Sequence, residues 1–99
     1  MAQIFKTNQD KAKEVLNIDI DDPAFDFSQA KQMAKAKAFE KCDHPMILSW
    51  KNGRTGEFYP NYECGAADRP FWIRYAEGRG ANLTIDFNAG EYVFMILKV

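Results

Sequence analysis

The chain has 99 residues, 46% of them hydrophobic and 27% charged, which excludes wholesale disorder and fits one domain over residues 1–99. The formal net charge of −1 leaves no positive excess to neutralise phosphates, so we expect no nucleic-acid partner. No apolar run approaches the ~20 residues that span a bilayer, no secretory signal follows Met1, and two cysteines are too few for a disulfide scaffold, so we expect a cytoplasmic protein without a membrane partner.

The first predicted element is a strand. The run LNIDID, which begins at residue 16, alternates apolar and polar side chains, as is typical of a half-buried strand. Pro23 ends this strand because proline cannot donate to a sheet ladder. A short helix is the alternative for residues 10–16, and residues 1–10 are compatible with an edge strand or a loose terminus.

A helix is predicted from about Phe27 to about Cys42. Asp26 is a good N-cap, and Gln29 three residues later completes a capping-box pattern. Small and apolar residues recur at about four-residue spacing and form one stripe, which consists of Phe27, Ala30, Ala34, Ala38 and Cys42. Because this stripe is mostly alanine, it predicts a helix that approaches a sheet closely. Phe39 falls on the far side, which indicates a second contact surface or a partner.

The residues after Pro45 predict strands joined by short turns. The successive segments are MILSW, EFYPNY, FWIRYA, LTIDF and YVFMILKV, which begin at residues 46, 57, 71, 83 and 92. Asn52-Gly53 is a strong hairpin signal between the first two segments, and Pro60 marks the second as an edge or bulged strand. The short connections favour antiparallel neighbours.

These elements predict an α+β fold in the order β-α-β-β-β-β-β. One main helix would pack on one face of a mostly antiparallel sheet of five to six strands, which gives two layers. The reverse face of the sheet would then stay uncovered and available for contact.

Three residues have the chemistry of metal ligands: Cys42, His44 and Cys64. Structural zinc sites usually show paired short spacings, and Cys42 with His44 is the one such pair in the sequence. A nucleophilic role for Cys42 is disfavoured because the negative end of the helix dipole opposes a thiolate there. We therefore expect no catalytic residue and no cofactor, with a metal site at these three residues as the alternative.

The stretch RPFWIRYAEGRGANLTIDF, which begins at Arg69, is the strongest candidate for a binding surface. In a strand, Trp72 and Arg74 would share the uncovered face, where the guanidinium would stack on the indole. Glu77 and Arg79 would pair across the following turn. This arrangement favours docking, and the alternative is a surface stacking pair with an exposed ion pair worth ~0–1 kcal/mol.

The runs RPFWIRYAEGRGANLTIDFNAGEYVF and HPMILSWKNGRTGEF also resemble a small family of short, uncharacterised prokaryotic proteins, a domain of unknown function. The similar features are an aromatic segment, a Tyr-Ala-Glu turn and a final Asn-x-Gly-Glu-Tyr hairpin, in about the last half of the chain. The resemblance implies a compact single-domain protein, and it supplies no substrate, cofactor or catalytic residue.

Two functions follow from these observations. The high aromatic content of 14% and the single predicted helix favour a small interaction module that forms a homodimer through its open sheet face or an edge strand. The alternative is a small-molecule-binding domain or enzyme that takes an anionic ligand in a pocket of arginine and aromatic side chains. The lining of that pocket would be Trp50, Tyr59, Tyr62, Trp72, Arg74, Glu77 and Arg79.

Overall fold

The structure is a computed structural model that describes residues 13–61 and 69–99. Within these ranges the elements are β1 (Glu14–Ile18), α1 (Phe27–Phe39), β2 (Met46–Asn52), β3 (Phe58–Tyr59), α2 (Phe71–Gly78), β4 (Leu83–Phe87) and β5 (Tyr92–Leu97). The strands form one sheet in the spatial order β1-β4-β5-β2-β3. The predicted α+β class is confirmed. The sheet is mixed, because β1 runs parallel to β4 while the other neighbouring pairs are antiparallel.

The start of α1 matches its sequence signature. The backbone N–H of Gln29 donates to Asp26 Oδ1 at 2.9 Å, and the Gln29 side chain accepts from the Asp26 N–H at 3.4 Å. Two N-terminal donors are therefore satisfied reciprocally. The helix ends at Phe39, three residues before the predicted end at Cys42.

The alanine stripe of α1 lies directly on the sheet. Ala30, Ala34 and Ala38 are fully buried, and the helix packs on β4 and β5. The core on this side is completed by the inward-facing residues of those strands and the loop before the helix, namely Phe25, Leu83, Ile85, Phe87, Tyr92, Phe94 and Ile96. The predicted alternation of LTIDF is thereby confirmed.

The prediction of a strand in FWIRYA was wrong, because Phe71–Gly78 is the helix α2. The element order is therefore β-α-β-β-α-β-β. Trp72 and Ala76 are both buried, and their four-residue separation places them on the same side of a helix. A short apolar run fits either period, so its local pattern did not decide between strand and helix. After the helix, Gly80 adopts φ +90°, the left-handed conformation that ends many helices.

The second helix covers part of the face that was predicted to be open. It packs on β2 and β5, with Trp72, Ala76, Leu48 and Met95 in a second core cluster. The sheet therefore has a helix on each face, and the two-layer prediction was wrong. The rest of the reverse face, over β1 and β4, carries Val15, Asn17, Thr84 and Asp86 and is mostly polar.

Two hairpin turns meet at one end of the sheet. The Gly53 N–H donates to the Glu91 carbonyl at 2.7 Å, which ties the β2–β3 turn to the β4–β5 turn. A Cβ atom at Gly53 would lie 2.3 Å from the Gly90 carbonyl oxygen. Glycine is therefore required at position 53 by the close approach of the two backbones.

One carboxylate joins three elements at the other end. Glu14 on β1 accepts hydrogen bonds from Lys41 Nζ at 2.7 Å and from Lys98 Nζ at 3.0 Å. These hydrogen bonds, that of Lys41 first, lower the pKa of Glu14 from its ordinary value of 4.5. Lys41 follows α1 and Lys98 follows β5, so the ionised Glu14 connects the start of β1 to both.

We predict that Gly53→Ala lowers the free energy of unfolding by about 1–3 kcal/mol, because a rigid backbone must move to admit the methyl group. Gly78→Ala is the matched control. Its Cβ would meet nothing within 4 Å, so we expect no loss there. Urea unfolding followed by circular dichroism measures both variants, and equal losses would contradict the close approach at Gly53.

We predict that the Glu14 cluster makes the fold acid-sensitive. A folded pKa below the ordinary 4.5 contributes stability above that pH, and the contribution is lost as the pH falls through the lowered value. Glu14→Gln should therefore lose less stability than the parent between about pH 6 and about pH 3. Glu40→Gln, at an exposed helix end, is the control, and parallel pH profiles for Glu14→Gln and the parent would contradict the assignment.

Candidate ligand-binding groove

An exposed apolar groove lies beside α1. Because α1 packs on β4 and β5, it leaves the β2–β3 side of the same face uncovered. The result is a groove of about 690 Å³, which we call the aromatic groove. Its lining consists of Lys31, Lys35, Ala38, Phe39, Pro45, Met46, Ile47, Trp50 and Tyr59.

The floor of the aromatic groove is a stacked pair of rings. The register of β2 and β3 places Trp50 opposite Tyr59, and their ring centroids lie 6.2 Å apart with planes inclined by 18°. Phe27, in the first turn of α1, packs against the inner side of Trp50 at a centroid distance of 4.6 Å. The indole thus contacts one ring on α1 and one on β3, and these contacts fix its position in the floor of the groove.

The rim of the groove is apolar and strongly exposed. Phe39 and Met46 are 61% and 54% exposed, and Tyr59 of the floor is 51% exposed. Elsewhere in residues 13–61 and 69–99, Val15 and Val99 are the large apolar side chains with comparable exposure. Clustered exposure of this kind marks interaction sites more often than scattered single residues do. Phe39, for which the sequence predicts a second contact surface or a partner, lies here.

The wall of the groove on α1 is cationic. Lys31 and Lys35 lie one helical turn apart, and neither forms an ion pair with a residue that the structure describes. Among residues 13–61 and 69–99, no acidic side chain lines the groove. The apolar floor therefore adjoins two ammonium groups that have no neutralising partner in the described part of the chain.

The predicted pocket residues do not lie together. Trp50 and Tyr59 meet in the groove. Trp72 is 6% exposed and lies on the buried side of α2, on the opposite face of the sheet. Arg74 belongs to α2 as well, and Tyr62 lies outside the described residues. The sheet itself therefore separates Trp72 and Arg74 from the groove.

The predicted contacts within this stretch also differ, because a helix replaces the strand. The Arg74 guanidinium lies over Phe71 at 5.4 Å rather than on the indole of Trp72. Glu77 pairs with Arg69 at 2.6 Å, and this contact lowers the pKa of the Glu77 carboxyl.

Arg79, predicted to pair with Glu77, instead lies 4.0 Å above the ring of Tyr75. Three- and four-residue neighbours face each other on a helix, which explains the contacts of Arg74 with Phe71 and of Arg79 with Tyr75. Arg69 precedes α2 and reaches Glu77 from outside the helix.

Two of the three predicted metal ligands are described. Cys42 is half-buried, and its Sγ lies 3.6 Å from the Ala38 carbonyl oxygen, to which it donates. His44 is exposed, and Cys64 lies outside the described residues. The described residues contain no group of three or more histidine, cysteine, aspartate or glutamate side chains placed to hold a metal ion.

The similarity to known proteins extends over both described helices and nearly all of the described sheet. Residues 13–96 match a family described as a domain of unknown function, DUF5619. The chain belongs to the DUF5619 family. The match confirms the resemblance seen in the sequence and extends it from the last half of the chain to nearly all of this DUF5619 protein.

One solved structure supports the fold of the DUF5619 chain. It is the crystal structure of AF1514, described as a novel protein from Archeoglobus fulgidus DSM 4304. The two chains are 27% identical, with a TM-score of 0.74 over 88% of this chain and 96% of AF1514. No protein with a curated description matches the DUF5619 chain. Neither described helix is long and apolar enough to cross a membrane.

Several residues of the aromatic groove were not predicted from the sequence. Lys31, Lys35 and Phe39 follow one another at four-residue spacing and form a stripe beside the buried alanines. That spacing was available in the sequence and predicts a shared flank of α1. Pro45, Met46 and Ile47 gave no comparable signal, because their contribution depends on where the helix crosses the sheet.

We predict that substitutions at Trp72 and Phe39, the two aromatic residues that the sequence indicated as contact sites, differ greatly in their effect on stability. Trp72→Ala should lower the free energy of unfolding by about 3–5 kcal/mol, because it empties a buried site. Phe39→Ser should change it by less than about 0.5 kcal/mol, because the ring is mostly exposed. Urea unfolding at low protein concentration measures both, and a large loss for Phe39→Ser would place that ring in the core.

Proposed function

We propose that this protein is a small-molecule-binding module whose site is the aromatic groove. The observation that carries the proposal is the stacked Trp50–Tyr59 pair at the floor of a groove of about 690 Å³. Small-molecule sites typically have volumes of ~300–1,000 Å³ and mostly apolar and aromatic linings. The site is the smaller, aromatic part of the pocket predicted from sequence, with lysines in place of arginines.

The groove supports binding rather than catalysis. Its titratable lining groups are Lys31, Lys35 and Tyr59, and no hydrogen bond joins any two of them in the described structure. Nucleophilic and acid–base catalysis need a reactive group held within hydrogen-bond reach of its base. The lining offers a surface for contact and charges for orientation, which suit a receptor or carrier role in the cytoplasm.

Self-association is the second candidate function. A homodimer is better supported at the exposed rim of the groove than at the open sheet face or the edge strand predicted from the sequence. α2 covers part of the reverse face of the sheet, and the remainder is mostly polar. The β3 edge has two residues and is followed by Pro60, which has no backbone N–H to donate, so it offers few ladder hydrogen bonds. A homodimer would instead bury Phe39, Met46 and Tyr59 of each copy against its partner.

The test uses the two tryptophans as internal reporters. Trp50 lies in the groove, and Trp72 lies on the buried side of α2 across the sheet. ¹⁵N-labelled protein therefore gives one indole N–H signal at the site and one remote from it. We expect members of a mixed library of neutral and charged planar compounds to shift the Trp50 signal and leave the Trp72 signal in place. Phe39→Ser should weaken these shifts, because it removes part of the rim.

A dilution series distinguishes the two candidates. If the Trp50 signal shifts on dilution alone, and sedimentation shows a dimer that Phe39→Ser dissociates, self-association is the function of the groove. If the protein stays monomeric and no compound in the library shifts the Trp50 signal, the binding proposal is wrong. Shifts that affect both indole signals equally would also count against a localised site.

A further inference from the structure

We infer that the aromatic groove selects an anionic ligand with a flat apolar body, and that Lys31 and Lys35 recognise its negative charge. This inference rests on the proposed function and names the ligand class of the same site. The flat body lies on Trp50 and Tyr59, and the charged end points toward α1.

The first argument is the unbalanced charge on the α1 wall. Positions three and four residues before and after Lys31 and Lys35 hold no acidic residue, so the helix itself offers these lysines no partner. The two lysines are also four residues apart, and like charges at that spacing destabilise a helix. A bound anion would relieve this repulsion.

The contrast with other lysines supports the same conclusion. Lys41 and Lys98 share the Glu14 carboxylate, at 2.7 Å and 3.0 Å, and are neutralised by it. Lys31 and Lys35 line the aromatic groove and have no such partner in the described part of the chain. They therefore give the wall of the groove a positive charge.

The second argument concerns ligand shape. The floor of the groove holds two nearly parallel aromatic rings, and a planar group packs on aromatic rings with an offset or edge contact. Lysine ammonium groups are point charges on flexible stems, unlike the rigid fork of arginine. We therefore expect selectivity for negative charge in general, and little discrimination between carboxylate, sulfonate and phosphate.

Charge also weighs against the competing occupants of the groove. In a two-fold dimer across the groove, Lys31 and Lys35 of each copy would approach those of the partner, and like charges would be brought together. A neutral apolar compound would use the floor and leave both ammonium groups without a partner. An anionic planar compound uses both features at once.

The test compares two probes that differ by one charged group. The anionic probe is 8-anilino-1-naphthalenesulfonate, and its neutral analogue is N-phenyl-1-naphthylamine. Each is titrated into the Trp72→Phe protein, in which Trp50 is the one tryptophan left, and energy transfer from Trp50 reports binding in the groove. Higher ionic strength should weaken the sulfonate probe more than the neutral one, because salt screens exposed charges.

Lys31→Gln with Lys35→Gln should lower the affinity for the sulfonate probe about five- to tenfold, consistent with two exposed charge contacts. The affinity for the neutral probe should change less than about twofold, since its contacts are apolar. Lys37→Gln is the matched control, because Lys37 lies on α1 outside the groove lining. It should leave both affinities unchanged.

The possible outcomes distinguish a failure of charge selection from a failure of the proposed binding function. If both probes bind near Trp50 and the double variant affects them equally or not at all, charge selection is wrong and the binding function stands. If Lys37→Gln weakens the sulfonate probe as much as the double variant does, general surface charge is responsible and the inference is wrong. If neither probe receives energy from Trp50, both the inference and the proposed function are wrong.

Discussion

The close contact between the alanine stripe of α1 and strands β4 and β5 is the constraint on which the rest of the structure depends. Ala30, Ala34 and Ala38 are fully buried, so the helix axis lies near the sheet. A helix ~10 Å wide covers about two strands spaced ~4.8 Å apart. The helix therefore leaves β2 and β3 uncovered, and the aromatic groove follows from this lateral placement and from the small size of alanine.

The opposite face of the sheet has a different role. There α2 packs Trp72 and Ala76 against β2 and β5, and this second core gives the sheet a helix on each side. The residues that looked most suited to contact, above all Trp72, are thereby used for stability. The exposed aromatic surface lies instead on the α1 side, where Trp50 and Tyr59 lie opposite each other across a strand pair.

The family match and the archaeal structure support this architecture. The proposed function is argued from the residues of the groove. The match to DUF5619 covers residues 13–96, so all of the described strands except the last residue of β5 lie within it. AF1514, at 27% identity and a TM-score of 0.74, supports the fold. The groove combines an apolar floor, an exposed rim and two ammonium groups that have no ion-pair partner among the described residues, and the proposed ligand class rests on these features.

The sequence by itself determined the features that arise from local hydrogen bonding and from the period of apolar residues. These include the capping box at Asp26, the alanine stripe, the Asn52-Gly53 hairpin and the alternating strand at residues 83–87. Only the tertiary structure decided whether FWIRYA is a strand or a helix, because Trp72 and Ala76 share a side in either element and it is the surface of β2 and β5 that the helix buries them against. The groove was likewise decided by tertiary structure, since its residues come from separate elements, and the distance between them is set by how α1 crosses the sheet.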